Sequence, residues 1–222
     1  MSKHLQRDIE NLKKQLLAMS AVVEESVHKA TQAVMERNAP MAEEVIQGDI
    51  EVDQMEVDIE EECLKLLALY QPVAIDLRFI IAVLKINSDL ERVGDLAVNI
   101  AERAAFLATQ ERICMPFDFE GMAEKAQGML SRSIDALVNL DVRLAHRVRA
   151  EDDDVDAMNR EMYAVMKEEL ARHPDRVNCL IHMLSIGRHL ERIADHATNI
   201  AEDVVYLVEA EIVRHTPEVF KE

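Results

Sequence analysis

The sequence predicts an all-α protein built as two tandem three-helix bundles related by a pseudo-twofold. Three observations carry that expectation. Apolar residues recur at spacings of three and four along most of the chain, the pattern of amphipathic helix. Glycine and proline number only 5 each, too few for a sheet-and-turn protein or a disordered one. A 22-residue segment returns 100 residues later without a gap.

The elements follow in order. Leu5, Ile9, Leu12, Leu16, Met19, Val23 and Val27 form the stripe of a first helix that runs to about Arg37. Asn38-Ala39-Pro40 is a stop and restart signal. The second helix carries Met41, Val45, Val52, Met55, Ile59, Cys63, Leu66 and Tyr70 on one stripe, and Pro72 breaks it. A third helix runs to about Leu107. The segment from Ala108 to Phe119, with Pro116 and poor periodicity, divides the chain into expected domains 1–112 and 113–222. Three more helices are expected near 119–139, 141–172 and 175–210, with fraying of the tail around Pro217.

Internal repetition is the strongest signal. INSDLERVGDLAVNIAERAAFL, from Ile86, and IGRHLERIADHATNIAEDVVYL, from Ile186, agree at 11 of 22 positions. The second and fifth helices align at an offset of 103, which brings Asp49, Val52, Asp53 and Met55 onto Asp152, Val155, Asp156 and Met158.

Helical geometry then sorts the faces. Ile86, Leu90, Val93, Ala97, Ile100, Ala104 and Leu107 make a continuous apolar stripe, repeated as Ile186, Leu190, Ile193, Ala197, Ile200, Val204 and Leu207. Glu91 and Asp95 point nearly opposite, as do Glu191 and Asp195, and Asn99 and Asn199 continue that face. Asp49 with Asp53, and Asp152 with Asp156, border the stripes of the second and fifth helices. Like charges at i,i+4 cost a helix only about 0.2–0.5 kcal/mol, but converging carboxylates invite a cation. One reading is therefore an oxygen-rich metal site in each half, suited to Mg²⁺, Mn²⁺, Fe or Zn²⁺. The other is a solvated acidic face. Arg92 and Arg192 are expected to form surface salt bridges beside the acidic pairs.

Composition narrows the function. With 43 acidic and 25 basic residues the net charge is −18, which repels nucleic-acid backbones and anionic lipid. Three scattered cysteines and no apolar leader point to the cytoplasm, and no window resembles a membrane span. Glycine-rich phosphate loops and nucleophile motifs are absent, and Glu25-x-x-His28 stands without the second copy that a di-iron bundle needs. Cys63 and Cys179 read as small core residues, and His196 as a flank residue or an extra ligand.

QPVAIDLR from Gln71 to Arg78, LERVGDLAVNIAE from Leu90 to Glu102 and LERIADHATNIAE from Leu190 to Glu202, set in a duplicated three-helix layout, resemble the PhoU family over nearly the whole length. The resemblance implies metal clusters at Glu/Asp-x-x-x-Asp motifs. Here those fall on Asp49 and Asp53, Glu91 and Asp95, Asp152 and Asp156, and Glu191 and Asp195, with Asn99 and Asn199 as supplementary ligands. It implies a non-enzymatic cytoplasmic adaptor between the ATPase of the phosphate transporter and the sensor histidine kinase of the phosphate two-component system. Such an adaptor suppresses the starvation response and uptake, and reaches the membrane only through its partners. Asp76 and Arg78 have no duplicated counterparts, so their role stays open between partner docking and an interhelical bridge. The alternatives are a carboxylate-bridged metal-dependent enzyme and a metal-free helical scaffold. A homodimer is the expected assembly.

Overall fold

The computed structural model describes residues 3–213; Pro217 and the expected fraying of the tail lie outside them. The described chain forms α1 (Lys3–Glu36), α2 (Ala39–Tyr70), α3 (Ala74–Ala108), α4 (Phe119–Asn139), α5 (Val142–Arg172) and α6 (Val177–Glu209), with one 3₁₀ turn at Pro174–Arg176. No strand occurs among the described residues, and the all-α expectation holds.

Local chemistry sets the helix ends. Asn38, Asp118 and Asp141 each accept a hydrogen bond from the backbone N–H three residues on, capping α2, α4 and α5 at 3.0–3.1 Å. At the other end, Gln71, Leu140 and Ala210 cap α2, α4 and α6 in the left-handed region, where an L residue is strained and glycine is at ease. Leu140 is half exposed, so its side chain returns little packing for that strain. Leu140→Gly is expected to stabilise the protein by about 0.5–1 kcal/mol, read as a rise in melting temperature.

The helices pack as α1–α3 and α4–α6, joined through α3 against α6 and a smaller contact of α1 with α4. The buried cluster runs through both sets without interruption. Both predicted stripes, from Ile86 to Leu107 and from Ile186 to Leu207, are buried throughout. Met19, Met122, Met129, Met162, Met166 and Met183 are buried too, so these six methionines help fill the interior. The halves solve one packing problem differently. Buried Asn87 donates to the Glu56 carbonyl at 2.9 Å, whereas at the equivalent Gly187 the sulfur of Met162 fills the space that a Cβ would take.

α3 and α6 run antiparallel in one register. Lys85 meets Asp203 at 3.0 Å, Asp89 meets Asn199 at 3.1 Å, and the Phe106 ring stacks on His182 at 3.9 Å. Twenty-one residues along α3 match twenty-one along α6, a seam of about 31 Å. Each of these two helices thus serves its own bundle with one face and the opposite half with another.

Candidate functional site

The expected acidic pairs do face one another. In the first half, burial and then the charges of Asp53 and Asp95 raise the Asp49 carboxyl above the ordinary carboxylate range. Burial and Asp95 do the same to Glu91, with Glu56 and Asp53 adding and Arg92 opposing. Gly94 lets α2 come close: Asp49 Oδ1 lies 3.6 Å from where a Cβ on Gly94 would sit. In the second half, burial and Asp156 raise Asp152 and Glu191. Asp195 is pushed up to about 6 by burial and by Glu191, Asp152 and Asp156. α2 and α5 therefore bring their aspartates into the electrostatic field of the pairs on α3 and α6.

The expectation of metal ions, whether Fe, Zn, Mn or Mg, is corrected by the geometry. Among the described residues, no group of three or more His, Cys, Asp or Glu side chains is placed to hold a metal ion. Ligand oxygens must gather within about 2.0–2.6 Å of one point. These side chains turn instead to protein partners. Arg92 bridges Glu91 at 3.3 Å and Asp95 at 3.1 Å, and Arg160 reaches Asp156 at 3.5 Å. Asn99 donates to the Asp95 carbonyl at 2.7 Å, and Asn199 donates across the seam to Asp89. The residues present do not fit the metal clusters that the resemblance implies. The expected salt bridge of Arg92 is present.

Burial, together with the neighbouring carboxylates, makes stability depend on pH. The folded Asp195 carboxyl holds its proton more tightly than an unfolded one, so the associated stability is full below the ordinary carboxylate range and is lost as pH rises through about 6. Asp195→Asn is expected to stabilise the protein at pH 7 and to match wild type below about pH 4. The shift caps the gain at ~3 kcal/mol. Because the Asp195 side chain, though crowded by its neighbours, still meets solvent, screening brings it to about 1 kcal/mol, checked by denaturation at both pH values. His189 runs the other way: burial and the neighbouring Arg103, Arg192 and Arg188 push it down to about 4. Its contribution is full above about pH 6.5 and is lost as pH falls through about 4.

The seam supplies the polar structure that sequence reasoning missed. Asp203 is 1% exposed and its carboxylate takes the Lys85 ammonium, which also sits 5.0 Å from the Tyr206 ring centroid. Asp89 receives the imidazole Nδ1 of His196 at 2.7 Å as well as the Asn199 amide. Arg149 reaches Glu202 at 3.6 Å from α5. A cleft of about 630 Å³ opens here, walled in part by Lys85, Asp89, Asp152, Asp195, Asn199 and Glu202. His196 is therefore an inter-half partner of Asp89. The signal that could have found the seam lies in the failures of the repeat. Lys85, Asp89, Leu96 and Arg103 face Ser185, His189, His196 and Asp203 in the alignment, and these positions share one helix face.

Cys63 is buried and its thiol is pushed up to about 12, chiefly by burial, which makes it the inert core residue expected. Arg78 carries a buried Nε without a hydrogen-bond partner. Among the described residues no helix is long and apolar enough to cross a membrane.

Comparison with known proteins places this architecture. The family model for the PhoU domain matches residues 16–104 and again 119–204. A phosphate-specific transport system accessory protein PhoU homolog from Aquifex aeolicus is 41% identical, covering 94% of this chain and 95% of its own. The homolog from Pseudomonas aeruginosa is 34% identical over 97% of this chain and 89% of its own. The crystal structure of PhoU from Pseudomonas aeruginosa superposes with a TM-score of 0.90 at 34% identity, covering 93% of this chain and 99% of that one. The phosphate transport system regulatory protein PhoU from Streptococcus pneumoniae superposes with a TM-score of 0.84 at 30% identity, covering 94% and 99%.

Proposed function

This chain belongs to the PhoU family, and from that premise we propose that it is a negative regulator of the phosphate-starvation response and of phosphate uptake. It has a role in regulating phosphate homeostasis and is not an enzyme, in keeping with relatives described as accessory and regulatory proteins. In the finer reading it is a cytoplasmic adaptor that contacts the ATPase subunit of the phosphate transporter and the phosphate-sensing histidine kinase. It reaches the membrane through those partners and works as a homodimer.

The observation that carries this reading is the superposition at a TM-score of 0.90 over 93% of the chain. The likeness takes in both halves. An adaptor needs two rigid surfaces in a fixed relation, and one uninterrupted core across both bundles supplies that relation. The acidic surface suits contact with basic protein patches and disfavours direct binding to anionic lipid.

Co-purification with the transporter ATPase and with the kinase sensor domain tests the adaptor role. Folded protein is expected to retain both, and deleting the gene is expected to switch on starvation reporters in phosphate-rich medium. Binding to neither partner, or reporters that stay silent, would overturn it. Sedimentation of the purified chain tests the homodimer.

A further inference from the structure

The outward face of α2 carries an apolar line that the fold does not require. Ile50 is 72% exposed, Val57 46% and Leu64 54%. They stand seven residues apart, so they fall on one strip of the helix about 21 Å long. The core-facing residues of α2, among them Val45, Val52, Ile59, Cys63 and Leu66, lie elsewhere around the helix and are buried. The strip adds nothing to the interior.

Its flanks are mostly acidic. Glu51 and Asp58 run along one side, where Lys65 follows at the same spacing and pairs with Glu62 at 2.8 Å, and Asp53 and Glu60 run along the other. Asp58 accepts a hydrogen bond from Gln54 at 2.8 Å. Glu51, Asp53 and Glu60 form no ion pair among the described residues. The repeat provides an internal control. At the equivalent register of α5 the three apolar positions become Asp153, Arg160 and Lys167. The same place in the same architecture thus tolerates charge, so the apolar line belongs to the first half alone.

We propose that this face of α2 is a docking surface for a basic amphipathic helix of a partner protein, one with apolar residues at heptad spacing and lysine or arginine on either side. Apolar residues one heptad apart, with acidic side chains around them, offer a partner helix anchors to pack on and charges that choose it. The occupant follows from charge. A second copy would set mostly acidic rows against acidic rows, with Lys65 the one cation among them, and opposing like charges disfavour that pairing. A lysine-flanked helix would neutralise them. The face lies apart from the α3–α6 seam, and the inference does not depend on the regulatory reading.

The test uses the whole chain and synthetic helices of about three heptads. One peptide has leucine at the heptad positions flanked by lysine. A second replaces those leucines with serine, and a third replaces the lysines with glutamate. The first is expected to bind and to weaken several-fold as salt rises from about 0.05 M to about 0.3 M. The combined variant I50Q/V57Q/L64Q should lose at least about tenfold in affinity. These residues are exposed, so its thermal unfolding should match wild type. E51K/D58K/E60K should shift the preference from the lysine peptide to the glutamate peptide. Failure of the lysine–leucine peptide to bind overturns the proposal. So does equal binding of its serine counterpart, which would signal mere attraction to an acidic surface. Unchanged affinity in I50Q/V57Q/L64Q overturns it, as does a wild-type dimer that this variant dissociates.

Discussion

Leu90→Ala is expected to lower the unfolding free energy by about 2–5 kcal/mol, and Leu190→Ala by a similar amount. Both side chains are 0% exposed and sit at equivalent positions of the repeat, on the core faces of α3 and α6. Truncation removes the transfer energy of three carbons and leaves a cavity in a helix-lined interior that closes only partly. Because one buried cluster spans both halves, each variant should shift a single common transition in urea. A loss below ~1 kcal/mol for either would mean that its half is not packed as described.

Lys85→Met is expected to cost about 2–4 kcal/mol, although Lys85 is itself 38% exposed. The cost arises on the other side of the seam. The Asp203 carboxylate is 2% exposed, and removing the ammonium at 3.0 Å leaves a buried negative charge less compensated. A double-mutant cycle with Asp203→Asn should give a coupling energy of about 1.5–3 kcal/mol. Since the carboxylate is buried, that coupling should change little in about 0.5 M salt, whereas a surface pair would fade. A coupling near zero would show that the contact does not join the halves.

The two results probe parts of the molecule that differ in how legible they were. Helical periodicity placed the core stripes, because a buried helix face must repeat every 3.6 residues whatever it packs against. Asn38 marked its boundary because a cap uses chemistry local to the chain. The repeat located the acidic pairs on facing helices, and they do lie in each other's field. What spacing could not decide is where four like charges turn once an arginine is within reach. Arg92 lies in the same helix turn as Glu91 and Asp95 and engages both, so the expected shared cation has no cage to occupy. The seam was illegible for a different reason. Its partners stand about a hundred residues apart, as in Asp89 with His196, and a search for agreement between the halves passes over positions where they disagree.

The antiparallel register of α3 and α6 has an evolutionary corollary. If the two halves descend from one ancestral three-helix unit, they are no longer interchangeable parts. A hybrid built from two first halves would set Lys85 against Arg103, cation facing cation, because Arg103 stands where Asp203 does in the sister segment. A hybrid of two second halves would bury Asp203 opposite Ser185, with no lysine to meet it. Fusion into one polypeptide freed each segment to specialise for its sibling, and a symmetric ancestor must have closed the same joint with different side chains.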